Sequence, residues 1–337
     1  MQMTTEELKP ASPIPSQRSF GETATLVVIV LILLLMGAIA ALVDFENPRR
    51  LTHGGLQAAS AAVAESSPFD GIELYAQGAI VVDLESGSTL YEKNADAQLP
   101  LASLTKVALA LIVAEVFSPD ETVTLPRGVS LSGAPANSSL REQWRVQDIV
   151  DYTLVSSSNS GANLLAKLAE ERVRTLYPGS PEGDAVLWRM KELSRELGLR
   201  NTYFLNVSGL DASETLSGAY GSARDMAVLF GFAASERPPF FARTANSDVR
   251  LADADGGVEA FAHNTNEALG SLPGLVMGKT GFTDLAGGNL AIVFEVEPEH
   301  LVAAVVLSSS RSGRFNDIEA LVQKTREHFT DGERVTR

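Results

Sequence analysis

The sequence predicts an α+β protein: an antiparallel sheet flanked by helices, with an all-helical subdomain, preceded by one N-terminal transmembrane helix. Three observations carry that expectation. Thr23 to Val43 is a 21-residue run without a charged side chain. Strand-like apolar runs lie at both ends of the region C-terminal to that run, and helical periodicity fills the middle.

The uncharged run comes first. At about 1.5 Å rise per residue it spans a hydrocarbon core of roughly 30 Å, and soluble helices rarely lack a polar face over so many turns. Ala38-Ile39-Ala40 has the small-x-small form of a signal-peptide cleavage site, but the apolar run continues past it to Val43, which favours an uncleaved anchor. Lys9 and Arg18 precede the span while Arg49 and Arg50 follow it, so positive charge sets no orientation. Residues 1–22 then form a short tail and residues 44–68 a stalk, where Pro48, Gly54-Gly55 and an alanine-rich run offer no sustained amphipathic face.

The catalytic-domain candidate occupies residues 69–330, with a tail at 331–337. Ala79–Leu84 and Thr89–Tyr91 flank Ser86-Gly87-Ser88 and read as a hairpin. Ser103–Phe117, Asp148–Glu171, Asp184–Leu197 and Ser222–Phe232 read as helices. Leu290–Phe294 and Leu301–Leu307 read as two central antiparallel strands, and Asp317–Phe329 as a closing amphipathic helix. Strands from both ends of this region are expected to share one sheet. Asp253-Ala254-Asp255-Gly256-Gly257 reads as a tight hairpin turn, since it lacks the ligand spacing of a calcium loop.

Composition removes several functions. A net charge of −15 disfavours nucleic acid, which needs cationic surface to displace counterions. The chain has no cysteine, and His53, His263, His300 and His328 form no metal-ligand spacing, so no metal or cofactor is expected.

Three short segments carry chemistry. In Ser103-Leu104-Thr105-Lys106 the serine and lysine share one helical face, so a desolvated amine can take the hydroxyl proton. Alone the pattern is common, and a capping serine beside a surface lysine is the simpler explanation of it. Ser157-Ser158-Asn159 interrupts a helical pattern and reads either as a helix-joining turn or as a loop presenting a hydroxyl and an amide. Ser156 and Ser158 compete with Ser157 for that hydroxyl, and spacing does not separate them. Lys279-Thr280-Gly281 reads either as a β-turn or as a strand offering a cation and a hydroxyl to a small carboxylate, with Gly281 leaving room for substrate backbone. It is no phosphate loop, because Pro273 stands where a glycine is required.

Together, in this order, the segments form the SxxK, SxN and KTG set that the penicillin-binding proteins and class A β-lactamases use. The sequence resembles the low-molecular-mass penicillin-binding proteins of the D-alanyl-D-alanine carboxypeptidase and endopeptidase type, and hence a β-lactamase/transpeptidase-like domain, from roughly Tyr75 to Phe329. Further stretches carry the likeness: AIVVDLESGSTLYEKNADAQLPLASLTK before the nucleophile, FLNVSGLD at 204–211, GSARDMAVL at 221–229, HNTNEAL at 263–269 and GKTGFTDLAGGNLA at 278–291.

The resemblance implies roles. Ser103 is the nucleophile and Lys106 its base. Ser157 relays protons with Lys106 and Lys279, and Asn159 orients Lys106 and the substrate amide. Lys279 and Thr280 hold the terminal carboxylate, Gly281 completes the substrate-binding strand, and the backbone N–H groups of Ser103 and Phe282 form the oxyanion hole. It implies peptidoglycan stem peptides ending in D-Ala-D-Ala as substrates and β-lactams as covalent inhibitors. It also implies a bacterial catalytic domain outside the cytoplasm, while attachment to the bilayer as a single-pass membrane protein falls to the uncharged run at residues 23–43 instead of the C-terminal amphipathic helix many family members carry. D,D-endopeptidase action on cross-links, a class A-like β-lactamase and a non-turnover penicillin-binding sensor remain as alternatives. A β-lactamase needs a deacylating glutamate, and Glu170, Glu171 and Glu182 lie in the right interval without that family's ExxLN form.

Overall fold

The computed structural model describes residues 67–131 and 142–335, with side chains as far as 330. The chain divides into units of Met1–Ala64 and Glu65–Arg337, and every described residue belongs to the second. The expected membrane span at 23–43, the tail before it and nearly all of the stalk therefore lie outside the described residues. Among the described residues no helix is long and apolar enough to cross a membrane.

The core is a five-stranded antiparallel sheet. Its strands are β1 (Gly78–Asp83), β2 (Thr89–Lys93), β3 (Leu275–Thr283), β4 (Gly287–Glu297) and β5 (His300–Ser309), in the order β3-β4-β5-β1-β2. The two valine- and leucine-rich runs form the central β4 and β5, as their composition requires, because a strand covered on both faces reads as continuously apolar. The side-chain period of two sorts their residues. Ala291, Val293, Ala303 and Val305 face one cluster, whereas Leu290, Ile292, Val302 and Ala304 face another shared with Phe315, Ile318 and Leu321. β1 pairs with β5 from Gly78↔Leu307 to Asp83↔Val302, so strands from both ends of the domain share one sheet.

The longer helices are α1 (Thr105–Val116), α2 (Val146–Val155), α3 (Asn159–Leu176), α4 (Ala185–Glu196), α5 (Ala223–Glu236) and α6 (Gly313–Val335). Thr105 to Val113 of α1 are all buried, which explains its lack of a polar face. α2, α3 and α4 form the helical region beside it, and Arg189 of α4 clamps Glu115 of α1 with two 2.8 Å bonds.

Four expectations shift. The helix expected at Asp148–Glu171 is two helices, α2 and α3, because Ser156–Ser158 breaks it. Ser156 Oγ donates back to Tyr152 O, Ser157 adopts a left-handed φ of 58°, and Ser158 Oγ caps α3 by accepting from Gly161 N at 3.0 Å. The nucleophile segment begins with a 3-10 turn, Ala102–Leu104, before α1 proper. Lys279-Thr280-Gly281 lies within the nine-residue β3, so the β-turn reading fails. α6 starts a turn before Asp317 and runs past 330. Asp317 is buried, accepting from Tyr75 N, Ala76 N and Ser309 Oγ at 2.9, 2.9 and 2.6 Å. The hairpin Asp248–Ala252/Glu259–His263 turns at Asp253–Gly257 as expected.

Candidate active site

The three motifs converge where the N-terminal end of α1 meets β3, an edge of the sheet. Ser103 sits in the 3-10 turn after Ala102, whose φ of +48° is unusual for a side-chain-bearing residue. One turn on, Lys106 is fully buried, and its Nζ lies 2.7 Å from Ser103 Oγ, 2.7 Å from Asn159 Oδ1 and 2.8 Å from Ser208 O. Burial lowers its pKa from the ordinary lysine value to about 7.

That partner set fixes proton direction. A neutral amine has two hydrogens and one lone pair. Asn159 Oδ1 and Ser208 O only accept, so each takes one hydrogen. The lone pair is left facing Ser103 Oγ, and the hydroxyl donates to it.

Across the cleft, Lys279 on β3 is equally buried, and its Nζ donates to Ser157 Oγ at 2.9 Å and Thr280 O at 2.8 Å. Burial, and then the nearby charges of Lys106 and Arg314, hold its pKa well below the usual value. The left-handed turn at Ser157 sets it apart from its neighbours: Ser156 Oγ is spent on Tyr152 O and Ser158 Oγ on the cap of α3. Thr280 Oγ1 lies 2.5 Å from Thr265 Oγ1. Phe282 is 37% exposed beyond them, with Arg311 stacked 4.3 Å from its ring centroid. At Gly281 a Cβ would stand 2.8 Å from Leu101 O, so the turn carrying Ser103 packs against β3 only through a glycine.

Several supporting residues were not assigned from sequence. The FLNVSGLD stretch is the loop that holds the nucleophile turn. Asn206 Oδ1 accepts from Ser208 N and Gly209 N at 3.1 and 2.7 Å, presenting Ser208 O to Lys106. Asp211 on the same loop accepts from Thr283 Oγ1 at 2.9 Å, tying it to the end of β3. Gly209 has φ +76°, and a Cβ there would fall 1.8 Å from Ala102 O. Asn289 of β4 donates to Pro100 O at 2.9 Å, and Arg314 Nη1 donates to Gly281 O at 2.7 Å. An Asn-x-x-Gly turn signal was present in the loop, but its target lies about a hundred residues away in the chain, beyond the reach of local pattern.

The glutamates that a β-lactamase reading needs are engaged elsewhere. Glu170 accepts from Ala185 N and Val186 N at the start of α4, Glu171 is exposed, and Glu182 lies 4.0 Å from Arg174.

A serine hydroxyl facing a desolvated lysine, on a helix-initiating turn packed against a sheet edge, defines the penicillin-binding, transpeptidase-like class. The chain belongs to the D-alanyl-D-alanine carboxypeptidase family, Peptidase_S11, of the low-molecular-mass penicillin-binding proteins; the family's model matches residues 61–311. It is 29% identical over 277 residues to the D-alanyl-D-alanine carboxypeptidase DacC of Escherichia coli K12, a match covering 78% of this chain and 64% of that protein. It is 28% identical over 254 residues to the D-alanyl-D-alanine endopeptidase of Pseudomonas aeruginosa, covering 70% of this chain and 74% of that one. Among solved structures, penicillin-binding protein D2 of Listeria monocytogenes in its ampicillin-bound form superposes with a TM-score of 0.60 at 30% identity, covering 75% of this chain and 98% of that chain. The chain thus spans under two thirds of the length of DacC.

Proposed function

We propose that this chain is a serine-type D-alanyl-D-alanine carboxypeptidase that trims peptidoglycan stem peptides through an acyl-enzyme at Ser103. The observation that carries the reading is the contact of the buried Lys106 Nζ with Ser103 Oγ at 2.7 Å, the amine's other two partners being oxygens that only accept. Ser103 Oγ attacks the carbonyl carbon of the penultimate D-alanine while Lys106 takes its proton. The N–H groups of Ser103 and Phe282 stabilise the oxyanion, typically the largest single contribution to such a step. The C–N bond then breaks, and the leaving D-alanine amine receives a proton through Ser157, which Lys279 adjoins. Water attacks the ester in the second half and restores the serine. Lys279 and Thr280, with Thr265 beside it, supply an amine and hydroxyls for the terminal carboxylate, whose incoming charge favours the ammonium form that burial disfavours. β3 is an edge strand, so its open side is where an extended peptide can be laid along the sheet.

β-Lactams mimic the scissile amide and are expected to acylate the same serine; the ampicillin-bound relative supports this. Peptide mapping after incubation with penicillin tests it. The adduct mass on Ser103, absent from Ser103→Ala, is expected, and an adduct on another residue would sink the assignment. A second reading, endopeptidase action on cross-links, is favoured by the likeness to an endopeptidase over 74% of its length. It differs only in what occupies the leaving-group side. Comparing rates on a stem pentapeptide and on a cross-linked dimer separates the two, with the pentapeptide expected to be faster.

The uncharged run Thr23–Val43 supports a further proposal, a single membrane anchor with the catalytic domain outside the cytoplasm. Protease added to intact spheroplasts is expected to release the catalytic domain. Protection of that domain until the membrane is broken would reverse the orientation.

A further inference from the structure

We infer that Arg314 is a positioning residue for the oxyanion hole, acting through the peptide unit that joins Gly281 to Phe282. This rests on the acyl-enzyme reading above and deepens it. Arg314 Nη1 donates to Gly281 O at 2.7 Å. That carbonyl and the N–H of Phe282 belong to one planar unit, and the described residues contain no cis peptide bond. In a trans peptide the C=O and N–H vectors are opposed. A donor fixed on the oxygen side therefore fixes the direction of the N–H on the other side. It also polarises the unit: a carbonyl that accepts from a desolvated cation makes its own peptide N–H a stronger donor.

The surroundings hold Arg314 to this task. It is 6% exposed and lies 4.6 Å from the ring centroid of Phe315. Gly288, the register partner of Phe282, leaves space for its stem, since a Cβ there would stand 3.2 Å from Arg314 Cδ. Arg311, from the same turn between β5 and α6, stacks on the Phe282 ring. Two arginines thus hold the two residues of one peptide unit, and neither lies in the three motifs.

The test measures acylation of the full chain by a fluorescent penicillin across concentrations, giving a saturating rate constant and a half-saturation concentration. Removing an oxyanion donor outright lowers such rates by about a hundred- to a thousandfold, so loosening one is expected to cost about ten- to a hundredfold. Arg314→Gln is expected to show that loss in the saturating rate, with half-saturation changed by less than about threefold, and Arg314→Lys to fall between it and wild type. A peptide boronic acid, whose tetrahedral adduct places an oxygen in the hole, is expected to weaken by the same factor. A saturating rate within about threefold of wild type overturns the inference, as does a loss confined to half-saturation, which would make Arg314 a carboxylate contact. If Arg314→Gln does not fold, Arg314→Lys decides: a lowered rate at unchanged half-saturation supports the inference and a wild-type rate overturns it. A wild-type chain that takes no label overturns the acyl-enzyme reading, and this inference with it.

Discussion

In the proposed acyl-enzyme mechanism, Lys106 decides whether Ser103 attacks. Below about pH 7 it is an ammonium with three hydrogens for three acceptors and no lone pair; above, it is the base. The active form is the deprotonated one, so the acylation rate is expected to rise with pH through about 7. A rate flat from about pH 5 to 9 would contradict the assignment of the base. Asn159→Ala removes one of the two acceptors that aim the lone pair, and about a tenfold or greater loss in acylation rate is expected, with the melting temperature little changed. The SxxK spacing made the Ser103–Lys106 contact legible, because i and i+3 meet on any helical turn. The choice of Ser157 over Ser156 and Ser158 was not legible, since it depends on one left-handed φ and on which hydroxyls the backbone claims.

At the scale of elements, the site depends on joints between segments. The loop from Phe204 to Asp211 holds the nucleophile turn and the end of β3 together, and Gly209 is where it passes closest to Ala102. Gly209→Ala forces a Cβ into that carbonyl at a left-handed φ, and a destabilisation of about 1–3 kcal/mol is expected, with a larger relative loss of acylation. Denaturant melts beside labelling rates check it; a variant with wild-type values in both would show that the loop does not support the site. Ser158→Ala deletes the cap of α3 and is expected to cost about 1 kcal/mol. The sequence showed small polar residues interrupting a helical pattern at 156–158 but not a full break. The apolar pattern stops at Val155 and resumes at Ala162, and a gap of that length reads as an exposed stretch of one helix as readily as a break between two. β3 was ambiguous for a related reason: Gly278 and Gly281 mimic a turn in sequence, while Gly281 is where the strand packs closely against the turn that carries Ser103.

For the molecule as a whole, the apolar runs of β4 and β5 made the central strands legible, and the pairing of β1 with β5 followed from burying them. The seam that closes the domain did not announce itself. Asp317 looks like a helix-start residue in sequence, yet it is buried and binds the backbone entering β1 and the end of β5. Asp317→Ala leaves the buried Ala76 N–H and Ser309 hydroxyl and the part-buried Tyr75 N–H without their acceptor, and a loss of about 3 kcal/mol or more is expected by thermal or denaturant melting. The motifs themselves were legible because acyl-enzyme chemistry demands particular side chains, whereas their supports are carbonyls, amides and glycines that many sequences supply. The most direct measurement is release of free D-alanine from a stem pentapeptide ending in D-alanyl-D-alanine, by the purified chain and by Ser103→Ala side by side. Release by the wild type alone, with both proteins melting at the same temperature, is the expected result. Equal release by both, or none by a folded wild type, would contradict a carboxypeptidase acting through Ser103.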